Sequence, residues 1–274
     1  FLRHNRVCED CLGKAVLWPG VRYACYRASR SVSLVVAGML GLHRALRTST
    51  RKVHRYLTPS TFARRKLCQG GLPAEQVATK PNFVHPDPGV GQGRGGFALF
   101  VGRLSPEKGV ETLLNAWPML AQRLPLKIIG DGPLAAKVCA IARTTPGIDW
   151  LGPKSAREVL ATVGEAVCLV MPSIWYETFG LTIIEAYAKG TPVVASRLGA
   201  MAELVQDGRT GLLFEPGNPD DLVIKINLLI TDKPKLGQMR LTARKAYETK
   251  FTAETNYRLL MTNYLAAIKT QQRQ

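Results

Sequence analysis

Ala166-Val-Cys-Leu-Val-Met-Pro-Ser-Ile-Trp-Tyr-Glu-Thr-Phe-Gly-Leu-Thr-Ile-Ile-Glu185 is the stretch on which the fold turns. Its first six residues, Ala166 to Met171, form a short, continuously apolar run, as in a strand covered on both faces in a parallel sheet. Pro172 to Glu177 reads as a loop, and a helix is expected to begin near Phe179 or Gly180. The first N–H groups of that helix have no partner inside it and stand at the positive end of its dipole, which suits a diphosphate. Glu177 falls in the loop above that point. Glu185, more than a turn into the helix, is placed to accept hydrogen bonds from paired hydroxyls such as those of a ribose. A second reading makes Glu185 a surface acid paired with Lys189 at i+4.

The same alternation continues on both sides. From Gly96 onward, strands are expected near Ala98–Val101, Leu126–Ile129, Ile148–Leu151, Val167–Met171, Val193–Ala195 and Leu212–Phe214. Helices are expected between and after them, at about Leu134–Arg143, Ala156–Thr162, Leu181–Ala188, Met201–Gln206 and Asp220–Thr231. One more should open at Ser105-Pro106-Glu107, with Ser as cap and Pro in the first turn. Strands alternating with helices predict an α/β fold with one doubly wound domain. Before it, Lys80–Gly96 holds three prolines and five glycines, a composition suited to a linker. Upstream, Val32–Leu46 and Ser60–Gln69 read as helices, and no second sheet is evident in residues 1–80. Ala253–Thr270 is an apolar-striped helix in need of a partner surface. The expected organisation is therefore a partial, mostly helical N-terminal domain (1–80), a hinge (81–96), a Rossmann-like C-terminal domain (97–250), and a terminal helix (251–274) packing back towards the N-terminal part.

Composition narrows the function classes. The 274 residues are 46% hydrophobic and 7% aromatic, ordinary for a folded soluble protein. No apolar run approaches the roughly 20 residues that span a bilayer; Val32–Leu42 comes nearest. The chain opens on Phe1 and shows no leader pattern, so an internal piece of a longer protein is expected. The formal net charge is +17, with Arg22, Arg27, Arg30, Arg44, Arg47, Arg51, Lys52, Arg55, Arg64, Arg65 and Lys66 crowding the first third. Such a surface favours anionic partners. Nucleic acid is disfavoured, because a reading motif and aromatics interleaved with the basic residues are lacking apart from Tyr23 and Tyr26. Cys8-Glu-Asp-Cys11 has the spacing of half a zinc site, but no second close pair follows it, so no metal is expected there. The scatter of the six cysteines argues against a disulfide framework.

Further chemistry lies in Phe100-Val-Gly-Arg-Leu-Ser-Pro-Glu-Lys-Gly109. Gly102 permits close backbone approach after a strand, and Arg103 and Lys108 flank the mouth of the following helix, again suiting a diphosphate. Arg103, Asp131, Glu177 and Gly199 all follow strands on the edge where open parallel sheets bind ligands. Asp131, between two glycines, reads better as a turn-former than as a ligand.

Gly102–Gly109, Ile129-Gly-Asp-Gly-Pro133, Trp150-Leu-Gly-Pro153, the Glu-x7-Glu element, Gly190-Thr-Pro-Val-Val194, Glu203-Leu-Val and Asp207-Gly-Arg-Thr-Gly-Leu-Leu-Phe214 follow in an order and spacing that resemble the retaining glycosyltransferases of family 4. The resemblance covers most of the chain. It implies the two-domain GT-B fold, in which the C-terminal domain binds a nucleotide-sugar and the N-terminal domain offers the acceptor. It implies transfer of a sugar from a nucleotide-diphosphate donor to a glycan or lipid-linked acceptor, without a metal or other cofactor, in a bacterial-type glycan pathway. Carried over by position, Arg103 and Lys108 would hold the diphosphate, and Glu177 would bind donor-sugar hydroxyls. Phe179, Gly180 and Leu181 would present backbone N–H groups, and Glu185 would bind the ribose. Leu151, Pro153 and Lys154 would border the base. Glu177 and Glu185 also invite a glycosidase reading, but the nucleotide would occupy one of them, and no protein nucleophile is nominated. Family members carry a fuller N-terminal domain before the region matching Cys8–Leu12, with a Gly-rich loop and a histidine near the reacting sugar. None of His4, His43, His54 or His85 matches that residue, so a donor-binding remnant without turnover stands as the alternative. The basic region Arg22–Lys66 resembles the part of such enzymes that lies against the membrane face or the acceptor, implying a cytoplasmic protein, peripheral at the inner face of the membrane; a second reading makes it a solvated face.

Overall fold

The structure is a computed structural model describing residues 2–3 and 6–271, so that His4 and the last three positions of the expected 251–274 segment lie outside the described residues. The chain divides into two compact units, one of residues up to Pro81 together with those from Tyr257, the other Asn82–Asn256.

The first unit is mostly helical. Two short strands, β1 (Leu2–Arg3) and β2 (Arg6–Val7), pair antiparallel, and β3 (Tyr56–Thr58) and β4 (Val77–Thr79) pair parallel. These sheets are absent from the sequence expectation, because strands of two or three residues are too short to show a period. Around them lie α1 (Trp18–Arg22), α2 (Arg30–Ala45), α3 (Thr48–Lys52) and α4 (Thr61–Gln69). Ser29 and Ser60 cap α2 and α4, their side chains accepting from Val32 N and Ala63 N. The unit also includes most of the last helix, where Asn263 accepts a 2.8 Å bond from Arg55 Nε. Among the described residues no helix is long and apolar enough to cross a membrane.

The second unit is built on six parallel strands: β5 (Ala98–Val101), β6 (Leu126–Ile129), β7 (Ile148–Gly152), β8 (Cys168–Met171), β9 (Val193–Ser196) and β10 (Gly211–Phe214). Their order, β10-β9-β8-β5-β6-β7, is that of a doubly wound sheet. The connecting helices are α5 (Val110–Ala116), α6 (Ala135–Thr144), α7 (Ala156–Glu165), α8 (Leu181–Ala188) and α9 (Gly199–Leu204), followed by α10 (Pro219–Thr231), α11 (Lys233–Lys250) and α12 (Ala253–Gln271). Alternate strand residues feed two cores. Ala98, Phe100, Leu126, Ile128, Val170, Val194 and Phe214 pack on one face with Trp117 and Ile226. Leu99, Ile129, Leu169, Val193, Ala195 and Leu213 pack on the other with Ile183, Ile184 and Tyr187. Covering both faces is what makes the central strands β5 and β8 read as unbroken apolar runs, whereas β6 and β7, towards the sheet edge, carry Lys127 and Asp149.

Three features depart from expectation. No α-helix opens at Ser105: Pro106–Lys108 is a 3-10 turn that ends at Gly109 in left-handed conformation, and α5 starts after it. Ser105 Oγ donates to Glu107 Oε1 at 2.6 Å instead of capping. Helix α11 was not expected, because it buries only Met239, Ala243 and Tyr247 among many charged residues. The Pro/Gly-rich segment is mostly not a free hinge. From Asn82 it belongs to the second unit, and Gly91 N, Gly93 N and Gly95 N donate to Lys189 O, Gly164 O and Glu165 O at 2.9 Å each. Arg244 and Arg240 of α11 hold the same segment, through Asp87 and the Gly91 carbonyl.

Candidate active site

Strands β5 and β8 are neighbours in space but open successive halves of the winding, so the crevice beyond their C-terminal ends is the topological switch point where such sheets take ligands. A cavity of about 300 Å3 lies there. Gly102, Arg103 and Lys108 line it from the β5 side, and Ser173, Glu177, Phe179, Gly180 and Leu181 from the β8 side. Seven of the residues singled out from sequence are thus brought together: Gly102, Arg103, Lys108, Glu177, Phe179, Gly180 and Leu181.

The local backbone explains the placement. Gly180 is the residue before α8 and sits at φ 97°, a conformation that favours glycine; no side chain caps the helix. Ile183 N donates to Gly180 O at 3.0 Å, and the start of the helix before it, Leu181 and Thr182, lines the cavity. Phe179 is buried, its ring meeting Phe251 edge-on with centroids 6.2 Å apart, which anchors the loop as it enters the helix.

Glu177 is only 8% exposed, and one of its oxygens collects three donors. Oε1 accepts from Lys108 Nζ at 2.7 Å, from Ser173 Oγ at 2.7 Å and from Trp175 Nε1 at 3.3 Å. The sequence reading assigned Lys108 and Glu177 to different parts of a ligand; here they form a direct ion pair. Ser173 and Trp175 were not anticipated. Their closeness to Glu177 in sequence was visible, but their convergence on one oxygen depends on how the loop folds. Arg103 is exposed and makes no ion pair among the described residues, leaving its guanidinium available to an anion.

Glu185 lies apart from this cavity. It borders a second one, of about 610 Å3, with Val84, His85, Pro88, Arg157, Leu160 and Lys189. Burial pushes its carboxyl above the usual carboxylate range. The alternative pair with Lys189 is not formed, since Lys189 Nζ donates to Pro88 O at 3.0 Å. Leu151, Pro153 and Lys154 end β7 and lead into α7; Leu151 is half-buried, Pro153 and Lys154 are exposed, and none of the three lines either cavity. The turn they form is fixed by a capping box in which Ser155 Oγ accepts from Glu158 N and the Glu158 carboxylate accepts from Ser155 N. Asp131 Oδ1 accepts from Gly132 N at 2.7 Å, the turn-forming role expected of it. All six cysteines are free, and among the described residues no group of three or more His, Cys, Asp or Glu side chains is arranged to hold a metal ion.

The sequence signature described as "Glycosyl transferases group 1" matches residues 91–246, more than half of the chain. The chain belongs to the group 1 glycosyl transferases. A glycosyltransferase of Methanocaldococcus jannaschii is 40% identical over 139 residues, covering 50% of this chain and 39% of that protein. The glycogen synthase of Mycobacterium tuberculosis is 33% identical over 178 residues, 62% of this chain and 42% of the synthase. The sulfoquinovosyl transferase of Arabidopsis thaliana is 31% identical over 173 residues, 62% of this chain and 33% of the transferase. The match thus spans between a third and about two fifths of each relative's length.

Among solved structures, Anabaena HepE in complex with UDP and glucose superposes with TM-score 0.72 at 21% identity, over 83% of this chain and 67% of HepE. Sucrose-phosphate synthase from Thermosynechococcus elongatus gives the same TM-score and identity over 91% of this chain and 66% of the synthase. At that identity the likeness shows the fold, which is α/β of the GT-B type. For this group 1 glycosyl transferase, the matched residues take in the lining of the β5–β8 crevice apart from Asn82.

Proposed function

We propose that this chain carries the donor side of a retaining glycosyltransferase that moves a sugar from a nucleoside-diphosphate donor to a glycan or lipid-linked acceptor. The observation that carries the reading is the switch-point cavity, where Arg103, the Lys108–Glu177 pair and the open start of α8 converge. Two cations and a helix N-terminus give a diphosphate charge-assisted donors from three directions. The same groups stabilise the charge that develops on the leaving phosphate, a task otherwise given to a metal ion, so the reaction is proposed to run without one. Lys108 has three N–H donors and gives one to Glu177, leaving others for phosphate oxygens. Glu177, held by Ser173 and Trp175, is proposed to accept from donor-sugar hydroxyls.

The diphosphate would dock on the backbone from Phe179 to Leu181, and the ribose would reach Glu185, whose carboxyl otherwise has no partner among the described residues. Leu151, Pro153 and Lys154, on the neighbouring turn, would border the base. Retention follows from attack on the face the leaving group vacates, with the departing phosphate taking the acceptor's proton; no carboxylate here is assigned as nucleophile. The solved complexes of HepE with UDP and with UDP-glucose support the donor class. An acceptor at the inner face of an anionic membrane suits α2, where exposed Leu34, Val35, Met39 and Leu42 accompany basic residues.

Calorimetric titration with UDP and GDP, then with sugar conjugates of the tighter binder, with and without magnesium, tests the reading. Metal-independent binding is expected, weakened about tenfold or more in Arg103→Ala by loss of a charge-assisted contact of about 1.5–3 kcal/mol. A folded sample that binds neither nucleotide would overturn it.

A further inference from the structure

Residues 11–74 contain twelve Lys and Arg and no Asp or Glu. A run of one sign that long creates a field seeking an anion, and one concavity in the first unit concentrates it. A cavity of about 560 Å3 is lined by Lys14, His43, Arg44, Arg47, Ser49 and Thr50, and no carboxylate lines it. Its walls come from three separate parts of the chain: the turn after Cys11, the junction of α2 and α3, and the turn after α4.

Those walls are braced. Arg44 donates to the Lys14 carbonyl, tying the end of α2 to the first turn. His43 Nδ1 lies 3.2 Å from Thr48 Oγ1, Tyr56 Oη donates to Ser49 O at 2.9 Å, and Gln76 Nε2 donates to Thr50 O at 2.9 Å. Arg47 takes a left-handed backbone at φ 51° between the two helices. Neither Lys14 nor Arg47 forms an ion pair among the described residues.

We propose that this cavity binds a phosphate group, with Lys14, Arg44 and Arg47 as its charged ligands and the Ser49 hydroxyl as a further donor. Three cations match the near-dianionic charge of a phosphomonoester, and two guanidinium forks match its paired oxygens. The phosphate belongs either to a soluble ester or to a lipid headgroup. In the second case the exposed Leu42 and Leu46, beside His43 and Arg47, would border the acyl chains. The site lies wholly in the first unit and does not rest on the donor reading.

The test uses the full chain at low ionic strength, titrated with inorganic phosphate and floated with phosphatidylcholine vesicles with or without phosphatidic acid. Arg47→Asn removes a cavity charge while keeping a residue that tolerates left-handed backbone. Lys14→Gln removes another at an exposed position, and Arg51→Gln removes the same unit charge outside the cavity. Circular dichroism verifies that each variant is folded. Both cavity variants should weaken binding about tenfold and Arg51→Gln no more than about twofold. That pattern with inorganic phosphate identifies a soluble ligand; the same pattern with vesicles alone identifies a headgroup. Absence of binding to both probes, or equal losses in all three variants, would overturn the proposal.

Discussion

Replacing Lys108 by Met takes the cation out of a pair whose side chains are 26% and 11% exposed. Breaking a fully buried pair costs about 3–5 kcal/mol, because a charge is left without its partner. Here Glu177 keeps Ser173 at 2.7 Å and Trp175 at 3.3 Å, and Lys108 is itself partly solvated. The expected loss is therefore nearer 2 kcal/mol, discounting for the surviving donors and for solvent. For a unit of this size each kcal/mol moves the thermal midpoint by about 2–4 °C, so the transition should fall by roughly 4–8 °C. It can be followed by fluorescence of Trp117, Trp150 and Trp175, all within the sheet unit. In the double variant Lys108→Met/Glu177→Gln the carboxamide still accepts at Oε1 without a charge, and about half of the loss should return. A single variant melting within about 1 °C of wild type, or a double variant equal to the sum of the singles, would refute the reasoning.

Gly109→Ala should destabilise the sheet unit by about 2 kcal/mol or more, read as a lower urea midpoint: the added Cβ would lie 1.8 Å from the Pro172 carbonyl oxygen, at φ 70°. Asp87, held by Arg244, has its carboxyl below the usual range. A depressed folded pKa stabilises above the unfolded value and is lost as pH falls through the folded one, so the advantage of wild type over Asp87→Asn should be present near pH 6 and fade below about pH 4. With Asp87 47% exposed, the advantage should stay below about 1 kcal/mol. Glu185 has the opposite sign. Its raised folded pKa costs stability once pH exceeds the unfolded value, so Glu185→Gln should melt higher than wild type at pH 7–8 and equal to it near pH 4, while binding nucleotide more weakly.

The six sheet strands were legible because each is a short, mostly apolar run that ends at a glycine, proline or polar turn, with Lys127 in β6 and Asp149 in β7 as the charged exceptions; β5, β6 and the helix α8 fall on the expected residues. The start of α8 was legible through Gly180. The Lys108–Glu177 contact was not, because it joins groups 69 residues apart and depends on how two loops fold over the sheet edge. Ser105-Pro106-Glu107 carries the signs of a helix start, yet Gly109 takes a left-handed conformation and breaks the turn before α5 begins. Helix α11 is not legible because its buried positions recur only once per turn, too sparsely to stand out among Lys and Arg. The 82–96 segment read as a linker because composition registers its missing regular structure and not the backbone bonds that pin it.

That pinned segment determines where the sheet unit can be cut from the chain. A cut just before Phe97 would remove Asp87 and the Gly91 carbonyl, stranding the half-buried Arg240 and Arg244 without those acceptors. A cut after Asp232 would remove the two arginines themselves. Limited proteolysis, crystallisation trials and any swap of this unit between relatives should therefore treat Asn82 and Asn256 as the seams.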